Sequence, residues 1–282
     1  MHADTRDQVL ISASQLQAEL GSDDPPVLLD VRWALGRSDG REQYEAGHIP
    51  GAVFVDMETE LSGQKRPGTG RHPLTGPAEL QEAMRRWGIS DGDRVVAYDA
   101  VAGMAAARAW WTLRWAGVDN VRVLEAGIQS WQSLGLPLDT GTVTPETGNV
   151  TVKPGQMPTL TADQAQELAS NGVLLDARAP ERFRGDHEPI DPVGGHIPGA
   201  VNLPGSEHIA SGGTLADAAQ LRAQFAAAGV TGDTPLGSYC GSGVSAAHQV
   251  MVLATLGIDA ALYPGSWSEW VTDSGRPIAT TD

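Results

Sequence analysis

The chain has a single cysteine, Cys240, among 282 residues. An internal disulfide is therefore excluded, and such cysteine usage fits a reducing, cytoplasmic setting. Positive charge is also scarce: 19 Lys and Arg stand against 35 Asp and Glu, for a formal net charge of -16. A chain this acidic repels phosphate backbones and anionic membranes, which argues against nucleic-acid and membrane partners. Any small anionic substrate must meet a local cluster of arginines that opposes the global field. Long hydrophobic runs are missing as well. No stretch of about 18 apolar residues is present to span a bilayer. Met1 to Leu10 is polar and lacks the apolar segment of a signal peptide.

What the chain does have is the same pattern twice. Val27-Leu28-Leu29-Asp30-Val31-Arg32 returns as Val173-Leu174-Leu175-Asp176-Ala177-Arg178. Gly47-His48-Ile49-Pro50-Gly51-Ala52-Val53 returns unchanged as Gly195 to Val201. Val96-Ala97-Tyr98-Asp99 corresponds to Gly237-Ser238-Tyr239-Cys240, and each half ends on a Gly, a Trp and a Gly-x-Pro. The offset stays at roughly 140 residues, so two copies of one domain is the economical reading. Residues 141–158, rich in Thr, Gly and Pro, read as a linker between a domain at 1–140 and a second at 159–282.

Within each half, short apolar runs alternate with helical stretches. Val27–Val31, Val95–Tyr98 and Val121–Leu124 are expected strands of the first copy. Val173–Ala177, Leu236–Tyr239 and Ala260–Tyr263 are those of the second. Helical patterns cover Ser14–Leu20, Pro77–Trp87, Ala105–Trp115, Ala162–Ala169, Ala216–Ala228 and Ser245–Leu256. The alternation predicts α/β domains with a mostly parallel sheet flanked by helices. Sites in such sheets lie at the carboxyl ends of strands, where Cys240 falls.

Cys240-Gly241-Ser242-Gly243-Val244-Ser245-Ala246 joins an expected strand to an expected helix. The glycines let the backbone curl, so that successive N–H groups point inward as an anion nest. The helix start adds its positive dipole end, and Ser242 and Ser245 bring hydroxyls. A thiolate, the nucleophilic form, or a persulfide anion would be held there. A lone cysteine is most often a small buried hydrophobe. The other copy carries Asp99 at this place, a helix N-cap type that suits a structural role. Phosphatase chemistry needs a longer loop ending in an arginine, and no arginine follows Cys240 until Arg276. His48 and His196 occur in both copies and read as structural, hydrogen-bonded to backbone. Trp267 is a candidate for the mouth of the site.

These motifs, in this order and over nearly the whole chain, resemble the two-domain rhodanese family of sulfurtransferases. The resemblance implies two tandem rhodanese-like domains, the first catalytically silent and the second carrying a persulfide on Cys240. The loop is similar to the Cys-Gly-Ser-Gly-Val-Thr-Ala form of 3-mercaptopyruvate sulfurtransferases, with Ser245 for Thr. Thiosulfate-preferring members place basic residues after the cysteine, where this chain has Gly241 and Ser242. The resemblance further implies Ser242, His72 and Glu58 as assisting catalytic residues, Glu58 standing where an Asp is expected. It implies Arg182 as a ligand of the substrate carboxylate, with Gly241, Gly243, Val244 and Ser245 forming the loop. Ile190 stands where a second arginine is expected, and Arg184 is the candidate to compensate.

The expected activity is ping-pong sulfur transfer from 3-mercaptopyruvate to cyanide, a thiol or a thioredoxin-like protein, without metal or organic cofactor. The alternative donor is thiosulfate, with cyanide as acceptor. Two rivals are a persulfide sensor without turnover and an inactive interaction module.

Overall fold

Both copies start from the same local device. Ser12 and Thr161 are each followed three residues later by a glutamine, and each pair closes a capping box around a helix start. The Gln15 amide donates to Ser12 Oγ, and the Ser12 amide donates back to Gln15 Oε1 at 3.0 Å. Thr161 and Gln164 repeat the exchange. Two amides that a helix start leaves without partners are satisfied each time.

The computed structural model describes residues 5–280; residues 1–4 and 281–282, the outermost ends of the two expected domains, lie outside it. The chain divides into two compact units. The first comprises Met1–Gly63, Thr75–Met157 and Ser211–Thr214; the second comprises Gln64–Leu74, Pro158–Ala210 and Leu215–Asp282. The division thus differs from a single cut at 141–158. Gln64–Leu74, expected in the first domain, clusters with the second unit. The expected linker up to Met157 is strapped to the first unit by backbone hydrogen bonds. Gly148 N donates to Arg85 O, Val150 N to Ile89 O and Lys153 N to Ala116 O. A Thr- and Pro-rich stretch without apolar period carries no sign of such strapping, because the partners are main-chain carbonyls of distant residues.

In the first unit the order is α1 (Thr5–Val9), β1 (Leu10–Ile11), α2 (Ala13–Leu20), β2 (Val27–Asp30), α3 (Gly40–Ala46) and β3 (Val53–Phe54). Then come α4 (Pro77–Arg86), β4 (Val95–Tyr98), α5 (Ala106–Trp115), β5 (Val121–Leu124) and α6 (Gly127–Ser133). The strands form one parallel sheet in the order β1-β5-β4-β2-β3. Helices cover it, so β4 is buried at all four positions and its sequence is continuously apolar.

The second unit runs α7 (Ala162–Asn171), β6 (Val173–Asp176), α8 (Pro180–Arg184), β7 (Val201–Asn202) and α9 (Ala218–Ala227). It continues with β8 (Leu236–Tyr239), α10 (Val244–Thr255), β9 (Ala261–Leu262) and α11 (Ser266–Trp270). Its sheet is also parallel, in the order β7-β6-β8-β9. The strand β8 reads weakly in sequence for a packing reason. A β-carbon on Gly237 would lie 2.6 Å from Leu168 Cδ2 and 2.8 Å from Leu160 Cδ1, so a larger residue would push these leucine side chains aside. Ser238 is buried but donates to Gln249 Oε1 at 2.7 Å.

The repeated motif residues fix the same joints in both units. Arg32 and Arg178 pair with Asp30 and Asp176 through Nε and Nη2, and each Nη2 also donates to a glycine carbonyl, Gly47 or Gly195. Tyr98 and Tyr239 hydroxyls accept from the amides of Ile49 and Ile197. His48 Nδ1 lies 2.9 Å from Tyr44 O, and His196 Nδ1 lies 2.8 Å from Phe183 O, each ring stacked on that same aromatic residue. Gly-His-Ile-Pro-Gly is thus a structural joint that leads into the short edge strands β3 and β7, which periodicity alone does not reveal. Among the described residues no helix is long and apolar enough to cross a membrane.

Candidate active site

The strand β8 delivers Cys240 to the carboxyl edge of the second sheet, and α10 begins four residues later. Gly243 turns the chain between them with φ +83°, a conformation that costs glycine nothing. That turn aims the Gly243 N–H at the sulfur, at 3.1 Å from Cys240 Sγ. The loop is pinned from outside. Cys240 N donates to Ser266 Oγ, Cys240 O accepts from Trp267 N, and Gly241 O accepts from Ser268 N. The cysteine is 3% exposed, so its thiol sits at the base of a protected loop rather than on the surface.

The first unit shows what this kind of loop does with an anion. Asp99 ends β4 and is fully buried. Its Oδ1 accepts from Val101 N and Gly103 N at 2.9 Å each, and its Oδ2 accepts from Ala105 N at 2.7 Å and Ala106 N at 2.9 Å. Burial pushes this carboxyl above its ordinary value, against the opposing pull of those four amides. The first copy fills its own cradle with a carboxylate; the second offers its loop to a sulfur.

The expected site residues fall into three groups. Ser242 and His72 meet: His72 Nδ1 lies 2.7 Å from Ser242 Oγ, and both residues are buried. His72 reaches the loop because Gln64–Leu74 clusters with the second unit. Gly241, Gly243, Val244 and Ser245 form the loop and the head of α10. Arg182, in the middle of the short helix α8, turns its guanidinium to the loop. A β-carbon on Gly241 would lie 3.4 Å from Arg182 Nη1 and Nη2. Arg184 and Glu58 make other contacts. Arg184 is exposed and pairs with Asp186, and Glu58 belongs to the first unit, where it accepts from Trp33 Nε1 at 3.0 Å. Trp267 is fully buried and lies under the Arg178 guanidinium, 4.6 Å from it, rather than at a mouth.

Two residues that sequence reasoning passed over are Arg71 and Asp191. Arg71 stands beside His72, and its Nη2 would lie 2.8 Å from a β-carbon on Gly241. Asp191 pairs with both Arg71 and Arg182. Burial pushes its carboxyl up, against the pull of Arg71. Glu188 holds Arg182 from the other side. Burial alone would raise its carboxyl, but Arg182 and two backbone amides outweigh that and bring it below the ordinary value. The signal for Arg71 was its place in the Gly-Arg-His triplet; for Asp191 there was none. The absence of Lys and Arg directly after Cys240 therefore does not leave the loop without positive groups, since two guanidinium groups come to Gly241 from elsewhere in the chain.

A duplicated parallel α/β sheet with one buried thiol at a strand-loop-helix junction, and two arginines beside that loop, defines a class of tandem-domain α/β proteins. Comparison with known proteins gives the family. The rhodanese-like domain matches residues 12–134 and again residues 161–273, and the chain belongs to that family as a two-copy member. A Mycobacterium tuberculosis protein provisionally named thiosulfate sulfurtransferase SseB is 50% identical over 278 residues, 97% of each chain. A Pseudomonas aeruginosa protein provisionally named 3-mercaptopyruvate sulfurtransferase is 44% identical, over 97% of this chain and 98% of the relative. The crystal structure of SseA from Escherichia coli, described with the 3-mercaptopyruvate sulfurtransferases, matches with a TM-score of 0.82 at 33% identity. The match covers 92% of this chain and 98% of that one.

Proposed function

We propose that this protein is a sulfurtransferase that takes sulfur from 3-mercaptopyruvate onto Cys240 and passes it to a thiol or cyanide. The observation that carries the reading is the Gly243 N–H directed at Cys240 Sγ at the head of α10. An amide and a helix start stabilise a thiolate, and then a persulfide anion, in the same place. In the first half-reaction the Cys240 thiolate attacks the donor sulfur, forming an S–S bond. The carbon–sulfur bond breaks and its electron pair stays on carbon as the pyruvate enolate, which takes up a proton. The Ser242–His72 pair supports a route for that proton. In the second half-reaction the acceptor attacks the outer sulfur, and the S–S electron pair returns to Cys240. With cyanide the product is thiocyanate. The reading gives Glu58 no step. It fits a reducing compartment such as the cytoplasm, and a thioredoxin-like protein as one acceptor.

Thiosulfate is the second donor. The Mycobacterium relative's name favours it, and the two guanidinium groups beside Gly241 offer hydrogen-bond donors to the anionic end of either donor. Comparing kcat/KM for the two donors separates them. The common step is tested by mass spectrometry of the intact protein after donor treatment. One added sulfur on Cys240 is expected, with no turnover in Cys240→Ser. An unmodified cysteine, or turnover that survives the substitution, ends the proposal.

A further inference from the structure

The sulfurtransferase reading requires a group to hold the donor's anionic end. Arg182 is one, and Ile190 leaves its expected companion unfilled. The structure supplies a second guanidinium from a distant part of the sequence. The Arg71 main chain is anchored by its N–H donating to Ser268 Oγ at 3.0 Å. Its side chain then reaches the cysteine loop, with Nη1 on Asp191 Oδ1 and Nη2 against Gly241.

The way this guanidinium is used is informative. An arginine presents two faces to a carboxylate, and the Nε/Nη2 edge is one of them. Arg32 and Arg178 both use that edge to clamp an aspartate. In Arg71 the edge is idle. Nε is buried with no hydrogen-bond partner, and Nη2 faces Gly241. Among the described residues only Nη1 is engaged, by Asp191. A buried donor without an acceptor is costly, so an incoming carboxylate that satisfies it gains that energy back.

Asp191 is the second half of the arrangement. It lies between the two arginines with 3% of its side chain exposed, and Arg182 Nη2 donates to its Oδ2 at 3.0 Å. Glu188 neutralises Arg182 in the same way. Two positive and two negative groups thus cancel before any donor arrives. Such a cluster orients a monoanion through hydrogen bonds without strongly favouring a dianion.

We propose that Arg71 is the second donor-binding arginine, in the place Ile190 leaves, and that Asp191 sets the pair's preference between a carboxylate and a dianionic donor. This rests on the sulfurtransferase reading.

Ping-pong kinetics provide the test, because kcat/KM for each substrate reports its own half-reaction. Wild type, Arg71→Ala, Arg71→Lys and Asp191→Asn are assayed with 3-mercaptopyruvate and with thiosulfate, cyanide being the acceptor. Arg71→Ala is expected to lower kcat/KM for 3-mercaptopyruvate by about 10- to 100-fold and leave that for cyanide unchanged. Arg71→Lys should recover part of the loss. Asp191→Asn should raise the ratio of thiosulfate to 3-mercaptopyruvate kcat/KM by at least about fivefold. An active wild type whose Arg71→Ala variant keeps its donor kcat/KM, or loses both kcat/KM values alike, overturns the role of Arg71. An unchanged donor ratio in Asp191→Asn overturns that of Asp191. A wild type that takes no sulfur from either donor sinks the parent reading itself, which is seen before any variant is compared.

Discussion

Asp99 offers a direct measure of what an anion is worth in this loop architecture. Four amides converge on its two oxygens at 2.7 to 2.9 Å, in a fully buried position where water cannot replace them. Asp99→Ala leaves all four without an acceptor. Each unsatisfied buried amide costs about 1–3 kcal/mol, but removing a buried charge returns part of the sum. Burial pushes the Asp99 carboxyl up, so its charged form is already disfavoured and the return is real. A net loss of about 4 kcal/mol is expected for Ala. Asn keeps one acceptor oxygen but turns an NH2 group towards two donors, so a loss of about 2 kcal/mol is expected. Urea unfolding followed by tryptophan fluorescence suits the measurement. Six of the eight tryptophans (Trp33, Trp87, Trp110, Trp111, Trp115 and Trp131) belong to the first unit and dominate its signal. Sulfur loading of Cys240 in folded Asp99→Asn should equal that of wild type. A loss below about 1 kcal/mol for Asp99→Ala would refute the reasoning, since the amides would then be satisfied without the carboxylate.

Two other expectations follow from single groups. His248 in α10 is fully buried with neither ring nitrogen hydrogen-bonded, and burial, helped by His208, holds its pKa down to about 3. It is neutral when folded, whereas in the unfolded chain it takes a proton below about pH 6.5. The stability it contributes is therefore present above that pH and is lost as pH falls towards 3. Between pH 6.5 and pH 5 the loss is about 2 kcal/mol from this group, read from urea midpoints. His248→Leu should flatten the profile over that range, and parallel profiles would contradict the assignment. Gly243→Ala forces a side chain into φ +83°, which costs about 1 kcal/mol and pulls the amide from Cys240 Sγ. Rapid-mixing sulfur loading is expected to slow by about tenfold with little change in fold. Unchanged loading would mean that this amide does not serve the sulfur.

Duplication, the parallel α/β class and the cysteine loop were all legible in the chain because they are local. A buried parallel strand needs a continuous apolar run, a helix start needs its capping residue, and a tight loop needs glycine in place. Tertiary structure decided what local pattern cannot carry. The edge strands β3 and β7 are only two residues each and have no period to read. Gly237 makes β8 look weak because its partners, Leu160 and Leu168, lie far back in the sequence. The assignment of Gln64–Leu74 to the second unit, and with it the meeting of His72 with Ser242, follows from chain folding alone. The same holds for the charge at the loop. The sequence shows no lysine or arginine in the loop directly after Cys240, yet Arg71 and Arg182 reach Gly241 over long sequence separations, and Asp191 holds them together. Charge acts through space at a few ångströms, so its sum at a site is a property of the folded chain and not of the order of residues.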